Sequence, residues 1–261
     1  DTVWNSFERI ELRRAYQNGL VKTGKASIQF EQCRFFANGT AKSQNLNGRG
    51  VHLTGSASSE AKFVDCTFDG NALYGHSVGG VSWVTSAGAG FGAYLVTWKR
   101  VSFDNCLFAT NGITYNAPYN QNFAGCTGFT AAALYAKDAP VTLNGCKFIG
   151  NRSAERIHDQ VIGGMIYLTG AGGGSAFTNC LFAANLLGPA IDTTSQWGIK
   201  GGLVILDLSA VAAQVEFDTC TFAYNGSCSA ASQCGIKATK GTAKIRNSIF
   251  HGAEVCSLYT G

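Results

Sequence analysis

Residues 101–111 read Val101-Ser-Phe103-Asp-Asn-Cys106-Leu-Phe108-Ala-Thr-Asn111. They contain the pattern apolar-x-x-Cys-x-Phe-x-x-Asn, which occurs six times intact in the chain. Its cysteines are Cys33, Cys66, Cys106, Cys146, Cys180 and Cys220. Its phenylalanines are Phe35, Phe68, Phe108, Phe148, Phe182 and Phe222, and its asparagines are Asn38, Asn71, Asn111, Asn151, Asn185 and Asn225. A seventh copy has Ser248 in place of cysteine and keeps Phe250. Repeats in one register predict a solenoid.

Within each copy, apolar residues alternate in two short runs that are out of step by one residue. Val101 and Phe103 alternate as in a strand with one buried face, and Cys106 and Phe108 do the same. The slip between Phe103 and Cys106 requires a bend in the backbone. Most slips carry Asn, Asp or Gly, which tolerate left-handed backbone conformations. Each copy is therefore predicted to be a strand, a sharp corner and a second strand.

A third strand is predicted to precede the pair. Its traces in the sequence are 49–53, 79–83, 163–168 and 201–205, where glycine precedes alternating apolar residues. Three short strands that return to the same register describe one turn of a coil. The predicted fold class is all-β, a right-handed single-stranded parallel β-helix of about seven coils with three short strands per coil. Variation in the period then falls in loops that leave the coil.

The β-helix is predicted to span residues 28–253 as one structural domain, followed by a C-terminal tail over residues 254–261. Residues 1–27 form either a degenerate first coil or a cap, in which residues 7–16 would be an amphipathic helix. We favour the coil. Either one would shield the first ladder, because an uncovered sheet edge invites aggregation.

Stacked coils place like residues over like residues. The phenylalanines are predicted to form one interior column, and the asparagine amides to bond to the copies above and below, as in cross-β ladders. Asn38, Asn151 and Asn225 also lie in glycosylation sequons. The asparagine column is equally filled where there is no sequon, so the ladder explains these residues better than glycan attachment does.

The six repeat cysteines are predicted to be buried free thiols that act as small apolar fillers. Their spacings do not match a zinc site, and no histidines interleave at ligand spacing. Side chains on neighbouring parallel coils point the same way, which suits a disulfide poorly. Cys228 and Cys234 flank a small polar loop and are candidates for a local disulfide. No metal, cofactor or catalytic site is predicted.

Composition excludes several classes of protein. Of 261 residues, 46% are hydrophobic and 14% charged, which argues against disorder, and the three prolines suit long strand ladders. The net charge of +4 has no basic cluster beyond Arg13-Arg14 and Lys99-Arg100, so nucleic acid is not an expected partner. No apolar run is long enough for a membrane-spanning helix.

The six Phe-x-x-Asn elements of the repeat resemble the repeats of the polymorphic outer-membrane protein family and of related bacterial β-helix surface proteins. The glycine pairs of those repeats have counterparts here in Gly79-Gly80, Gly163-Gly164 and Gly201-Gly202. The resemblance covers about residues 28–253. It implies a secreted, surface-displayed protein linked to adhesion. The alanine that follows Gly-Gly in that family is replaced here by Val81, Met165 or Leu203.

The alternative function is binding or cleavage of a polysaccharide. Glycoside hydrolysis needs two carboxylates that flank one bond, whereas Asp65, Asp104 and Asp218 lie near corners, where they suit turn formation. Trp83, Tyr94 and Trp98, in an irregular segment, are candidates for stacking on sugar rings. They equally suit packing of a long loop onto the coil, which we favour.

We therefore expect a non-enzymatic extracellular or cell-surface protein, either adhesin-like or a structural module of a fibre or layer. The expected partners are further copies of the chain or neighbouring domains of a longer chain. A carbohydrate or host-surface ligand is the second expectation. No cofactor is expected.

Overall fold

The structure is a computed structural model that describes residues 4–39, 47–74, 89–114, 131–152, 164–187, 202–227, 233–252 and 259–260. These residues form 28 strands, numbered β1 to β28 along the chain, and no helix. Within these ranges there is accordingly no helical segment that could cross a membrane.

Three eight-stranded parallel sheets form the body of the molecule. Sheet A consists of β1 (Trp4–Glu8), β4 (Ser27–Glu31), β7 (Glu60–Val64), β11 (Arg100–Asp104), β15 (Val141–Asn144), β18 (Ala176–Thr178), β22 (Gln214–Asp218) and β26 (Thr242–Arg246). Sheet B consists of β2 (Glu11–Arg13), β5 (Arg34–Phe36), β8 (Thr67–Asp69), β12 (Leu107–Ala109), β16 (Lys147–Ile149), β19 (Leu181–Ala183), β23 (Thr221–Ala223) and β27 (Ile249–His251). Sheet C consists of β3 (Leu20–Thr23), β6 (Val51–Thr54), β10 (Ala93–Val96), β14 (Leu134–Lys137), β17 (Ile166–Gly170), β21 (Gly202–Leu208), β25 (Gln233–Lys240) and β28 (Tyr259–Thr260).

Two short parallel pairs complete the described strands. They are β9 (Ala72–Tyr74) with β13 (Gly112–Thr114), and β20 (Leu186–Leu187) with β24 (Gly226–Ser227).

One strand from each sheet makes a rung, and successive rungs stack in parallel register. The predicted fold, a right-handed parallel β-helix with three strands per coil, is confirmed. The described strands make eight rungs rather than about seven, because residues 4–23 form one more. Strands β1 to β3 pair with β4 to β6, so the chain before Ile28 contains a coil. At the other end, β28 adds a strand to sheet C within the segment predicted to be a tail.

Left-handed residues make two corners in each rung. The first is the predicted one, directly before the cysteine, where Asp65, Asn105 and Asn179 have φ of 51–53°. The second, which the sequence did not predict, lies directly before the asparagine. Thr110 and Ala184 have φ of 50° and 52° there, although such residues adopt this conformation at a cost of about 1–2 kcal/mol. The backbone N–H groups of Thr110 and Ala184 donate to the Ile149 and Ala223 carbonyls of the next rung, so each corner is bonded to the one that follows it.

One predicted third strand was placed wrongly. The position beside Val51–Thr54 is taken by Ala93–Val96, whereas residues 79–83 lie outside the described ranges. The strand Leu134–Lys137 was not predicted. Neither Ala93–Val96 nor Leu134–Lys137 directly follows a Gly-Gly pair, which is the pattern that precedes three of the four segments predicted as third strands.

The interior is filled by two columns of stacked rings. The predicted phenylalanine column is confirmed: Phe108 lies 4.5 Å from Phe68 and 4.7 Å from Phe148, centroid to centroid, with interplanar angles of 6° and 3°. A second column runs through sheet A, where Phe63 and Phe103 stack at 4.6 Å. Rings of the two columns meet edge to face, an arrangement that aromatic pairs favour.

Candidate functional site

The asparagine column is a continuous hydrogen-bonded ladder, as predicted. The Asn111 amide nitrogen donates to the Asn151 side-chain oxygen at 3.0 Å and to the Phe68 carbonyl at 2.8 Å. Its side-chain oxygen accepts from the backbone and side-chain nitrogens of Asn71. All six repeat asparagines are buried, which supports a structural role for the sequon residues Asn38, Asn151 and Asn225 as well.

The repeat cysteines form a buried column of free thiols. The Cys106 sulfur donates to the Phe63 carbonyl of the preceding rung and to the Asp104 carbonyl of its own rung. Burial raises the pKa of the Cys33 and Cys106 thiols, which keeps them protonated. These two protonated thiols are poor nucleophiles and poor metal ligands. Among the described residues there is no group of three or more His, Cys, Asp or Glu that could hold a metal ion.

The predicted disulfide between Cys228 and Cys234 stays a prediction. Cys228 lies outside the described ranges, and Cys234 is described only as part of the backbone of β25.

The outer face of sheet C carries an aromatic row that the sequence did not predict. It consists of His52, Tyr94, Tyr135 and Tyr167, one from each of four successive rungs. Tyr94 and Tyr135 stack at 4.8 Å, Tyr135 and Tyr167 at 5.7 Å, and His52 meets Tyr94 edge-on at 4.8 Å. The Tyr167 hydroxyl lies 3.1 Å from an Asp207 carboxylate oxygen and donates to it.

This geometry bears on the predicted sugar contacts. Tyr135 stacks on one face of the Tyr94 ring and His52 contacts the ring edge to face, so the row itself occupies much of the ring that a sugar would need. The prediction that Trp98 could stack on a sugar is wrong, because the residue is 2% exposed and its Nε1 donates to the Leu53 carbonyl at 3.3 Å. It packs onto the coil, as the favoured alternative had it. Trp83 lies outside the described residues.

Because of the tyrosines in this row, we expect the folded protein to lose stability in alkaline solution. Burial raises the pKa of Tyr135 to about 12, and burial followed by the nearby Asp207 carboxylate raises that of Tyr167. An unfolded tyrosine ionises near pH 10. The folded protein therefore favours the protonated form of these two tyrosines. The stability that this contributes is fully present below pH 10 and is lost as the pH rises through the pKa values of the tyrosines in the folded state.

We expect the wild type to lose about 2 kcal/mol more free energy of unfolding between pH 9 and 12 than a Tyr135→Phe/Tyr167→Phe variant does. Denaturant unfolding at each pH, with tyrosinate absorbance followed in parallel, measures the difference. Equal losses of unfolding free energy in the wild type and the variant would show that the pKa values of Tyr135 and Tyr167 are not raised by folding.

The two terminal rungs, β1–β3 and β26–β28, are the remaining candidate site. Each of their strands pairs with a described strand on one side of the sheet only. Phe7, Leu12 and Leu20 at one end pack against the core and remain partly exposed. Ile245 and Phe250 do the same at the other end. Trp4 and Ile10 of the first rung are also exposed.

Opposed carboxylates are scarce in the described strands. Their strand registers bring two acidic residues side by side at one place, Glu8 and Glu31 on the first two rungs. Glu8 is 57% exposed and pairs with Arg9 at 3.3 Å.

Comparisons with protein-family models, with curated proteins and with solved structures found no match to this chain.

Proposed function

We propose that this protein is a non-enzymatic structural module of an extracellular or cell-surface assembly, in which copies of the chain stack end to end. The observation that carries the proposal is that both terminal rungs continue the interior columns with partly exposed apolar side chains. The resemblance to β-helix surface proteins and the stacked interior support the same class of function.

The registers of the strands show what a second copy would meet. If the last rung of one copy lay on the first rung of the next, the sheet A column would continue from Ile245 to Phe7. The sheet B column would continue from Phe250 to Leu12. Apolar side chains that are partly exposed at each end would become buried, and burial of apolar surface is the main favourable term in association.

Charge at the same contact is complementary. Glu8 and Arg246 occupy equivalent positions at the ends of β1 and β26, so head-to-tail stacking places one beside the other. Arg246 is half exposed and already pairs with Glu216 at 3.1 Å on its other side. A second acidic neighbour would extend this pair into a short ladder of alternating charge.

Among the described strands, those of the two terminal rungs have no partner on their outer side, so each rung offers an edge to a second copy. An exposed edge presents unpaired N–H and C=O groups that can template a further strand. A contact between two different surfaces of the same molecule does not close by symmetry and produces an open filament. The expected assembly is therefore a rod that grows along the axis of the β-helix.

A charge swap tests this contact. Sedimentation velocity over a range of concentrations should show self-association of the wild type, weakened about tenfold by Glu8→Arg through repulsion from Arg246. The double variant Glu8→Arg/Arg246→Glu should recover the wild-type association. Asp104→Arg is the matched control, since Asp104 lies in the same column in the middle of the rod.

Two results would overturn the proposal. One is a wild type that sediments as a monomer at every concentration, which would assign the terminal rungs to other coils or domains. The other is equal weakening by Glu8→Arg and Asp104→Arg without recovery in the double variant.

A further inference from the structure

Arg49 is a charged residue inside the coil. It precedes β6 by two positions, and its side chain is 1% exposed. One terminal nitrogen, Nη1, donates to the Gly39 carbonyl. A Cβ on residue 39 would lie 2.3 Å from the Arg49 Cδ, and the φ of Gly39 is +93°, so a glycine at this position makes room for the guanidinium.

Within the described part of the chain, the bond from Nη1 to Gly39 is the one hydrogen bond that the guanidinium makes. Nε is buried and donates to no atom. The ring of Phe91 lies 5.4 Å from the guanidinium carbon and offers a π face. Asn18 occupies the position of Arg49 one rung earlier. Its side-chain nitrogen donates to the Asn47 and Gly48 carbonyls at 2.5 and 2.6 Å, so both of its N–H groups are already in use.

No acidic side chain balances this charge within the described part of the chain. Arg49 forms no ion pair there, and its column continues through Phe91, Ala132 and Gly164. Burial lowers the pKa of Arg49 to about 10, which leaves the group charged at neutral pH. An unpaired charge held in a protein interior is strongly unfavourable.

We infer that Arg49 is the centre of an anion-binding site that takes a small oxyanion, such as a carboxylate or sulfate. Two oxygens of a carboxylate or sulfate match the parallel N–H groups on the Nε side of a guanidinium, and that side is the unpaired one. Nη1 stays on the Gly39 carbonyl and fixes the plane of the group. This site is independent of the proposed end-to-end contact.

Thermal unfolding of the full chain with and without sulfate or formate tests the site. At an anion concentration about 100 times Kd, the melting temperature of the wild type should rise by about 5–10 °C. In Arg49→Met the anion-specific rise should disappear. Arg100→Met, which removes an exposed arginine, should keep it.

A second arm uses the protein without added oxyanion. There, Arg49→Met should melt no lower than the wild type, because it removes an unpaired charge and keeps most of the apolar stem. Arg49→Lys keeps the charge without the fork and should bind the anion at least about tenfold more weakly by calorimetry. A larger response to sulfate than to formate would indicate a tetrahedral ligand, and the reverse a carboxylate.

Three results would overturn the inference. They are equal anion responses in the wild type and Arg49→Met, a wild type that does not respond to either anion, and a large fall in melting temperature for Arg49→Met in anion-free buffer. The last would show that the charge is already balanced within the protein.

Discussion

Replacing Phe108 by alanine is expected to lower the free energy of unfolding by about 3–5 kcal/mol. Phe108 is fully buried and stacks on Phe68 and Phe148 in the rungs on either side. Removal of the ring loses its transfer free energy and leaves a cavity that two flat neighbouring rings fill poorly. Strands on both sides hold those rings in place, so the column has little freedom to collapse.

Urea unfolding followed by circular dichroism measures this change. Phe36→Ala is the matched control, because Phe36 belongs to the same sheet and lies half-buried on its outer face. The control should lose about 1 kcal/mol. A Phe108→Ala variant within about 1 kcal/mol of the wild type would show that the ring column does not stabilise the coil.

Replacing Asn111 by alanine should be about as damaging, with a loss of about 3–5 kcal/mol. The change leaves the buried Asn71 backbone N–H without its acceptor and removes the side-chain donors to the Phe68 carbonyl and the Asn151 side-chain oxygen. Each buried group left unsatisfied costs about 1–3 kcal/mol.

Asn111→Asp separates hydrogen bonding from size. An aspartate can still accept from Asn71 but cannot donate to Phe68 or Asn151, and it is buried. It should therefore lose at least as much stability as the alanine variant. Asn144→Ala, at an exposed asparagine, should change stability by less than about 0.5 kcal/mol. Similar values for Asn111→Ala and Asn144→Ala would contradict the ladder.

The repeat was sufficient to predict the coil because its residues act in the same way in every rung. The phenylalanine, cysteine and asparagine columns each occupy a fixed place relative to a corner, so their positions in the sequence translate directly into positions in the coil. The first rung was harder to recognise. Ile10 and Ala15 stand there in the places of cysteine and asparagine, and Leu12 takes the place of phenylalanine.

The features that sequence reasoning missed depend on contacts between rungs separated by long loops. The stacking of Tyr94 on Tyr135 requires the register of β10 and β14, and neither strand carries the glycine signal. Packing of Trp98 onto the coil was the favoured interpretation, but its partners Leu53 and Gly55 lie more than forty residues earlier and could not be named from the sequence. Arg49 did carry a signal, since alternation places it on the same side of its strand as Val51 and Leu53.

Electron microscopy of the purified chain at increasing protein concentration tests the central claim, end-to-end stacking, most directly. Eight rungs at about 4.8 Å make one copy about 38 Å long. We predict rods of constant width whose lengths are multiples of about 38 Å and whose average length grows with concentration and falls in Glu8→Arg. Single particles of one length at all concentrations, or copies packed side by side, would contradict it.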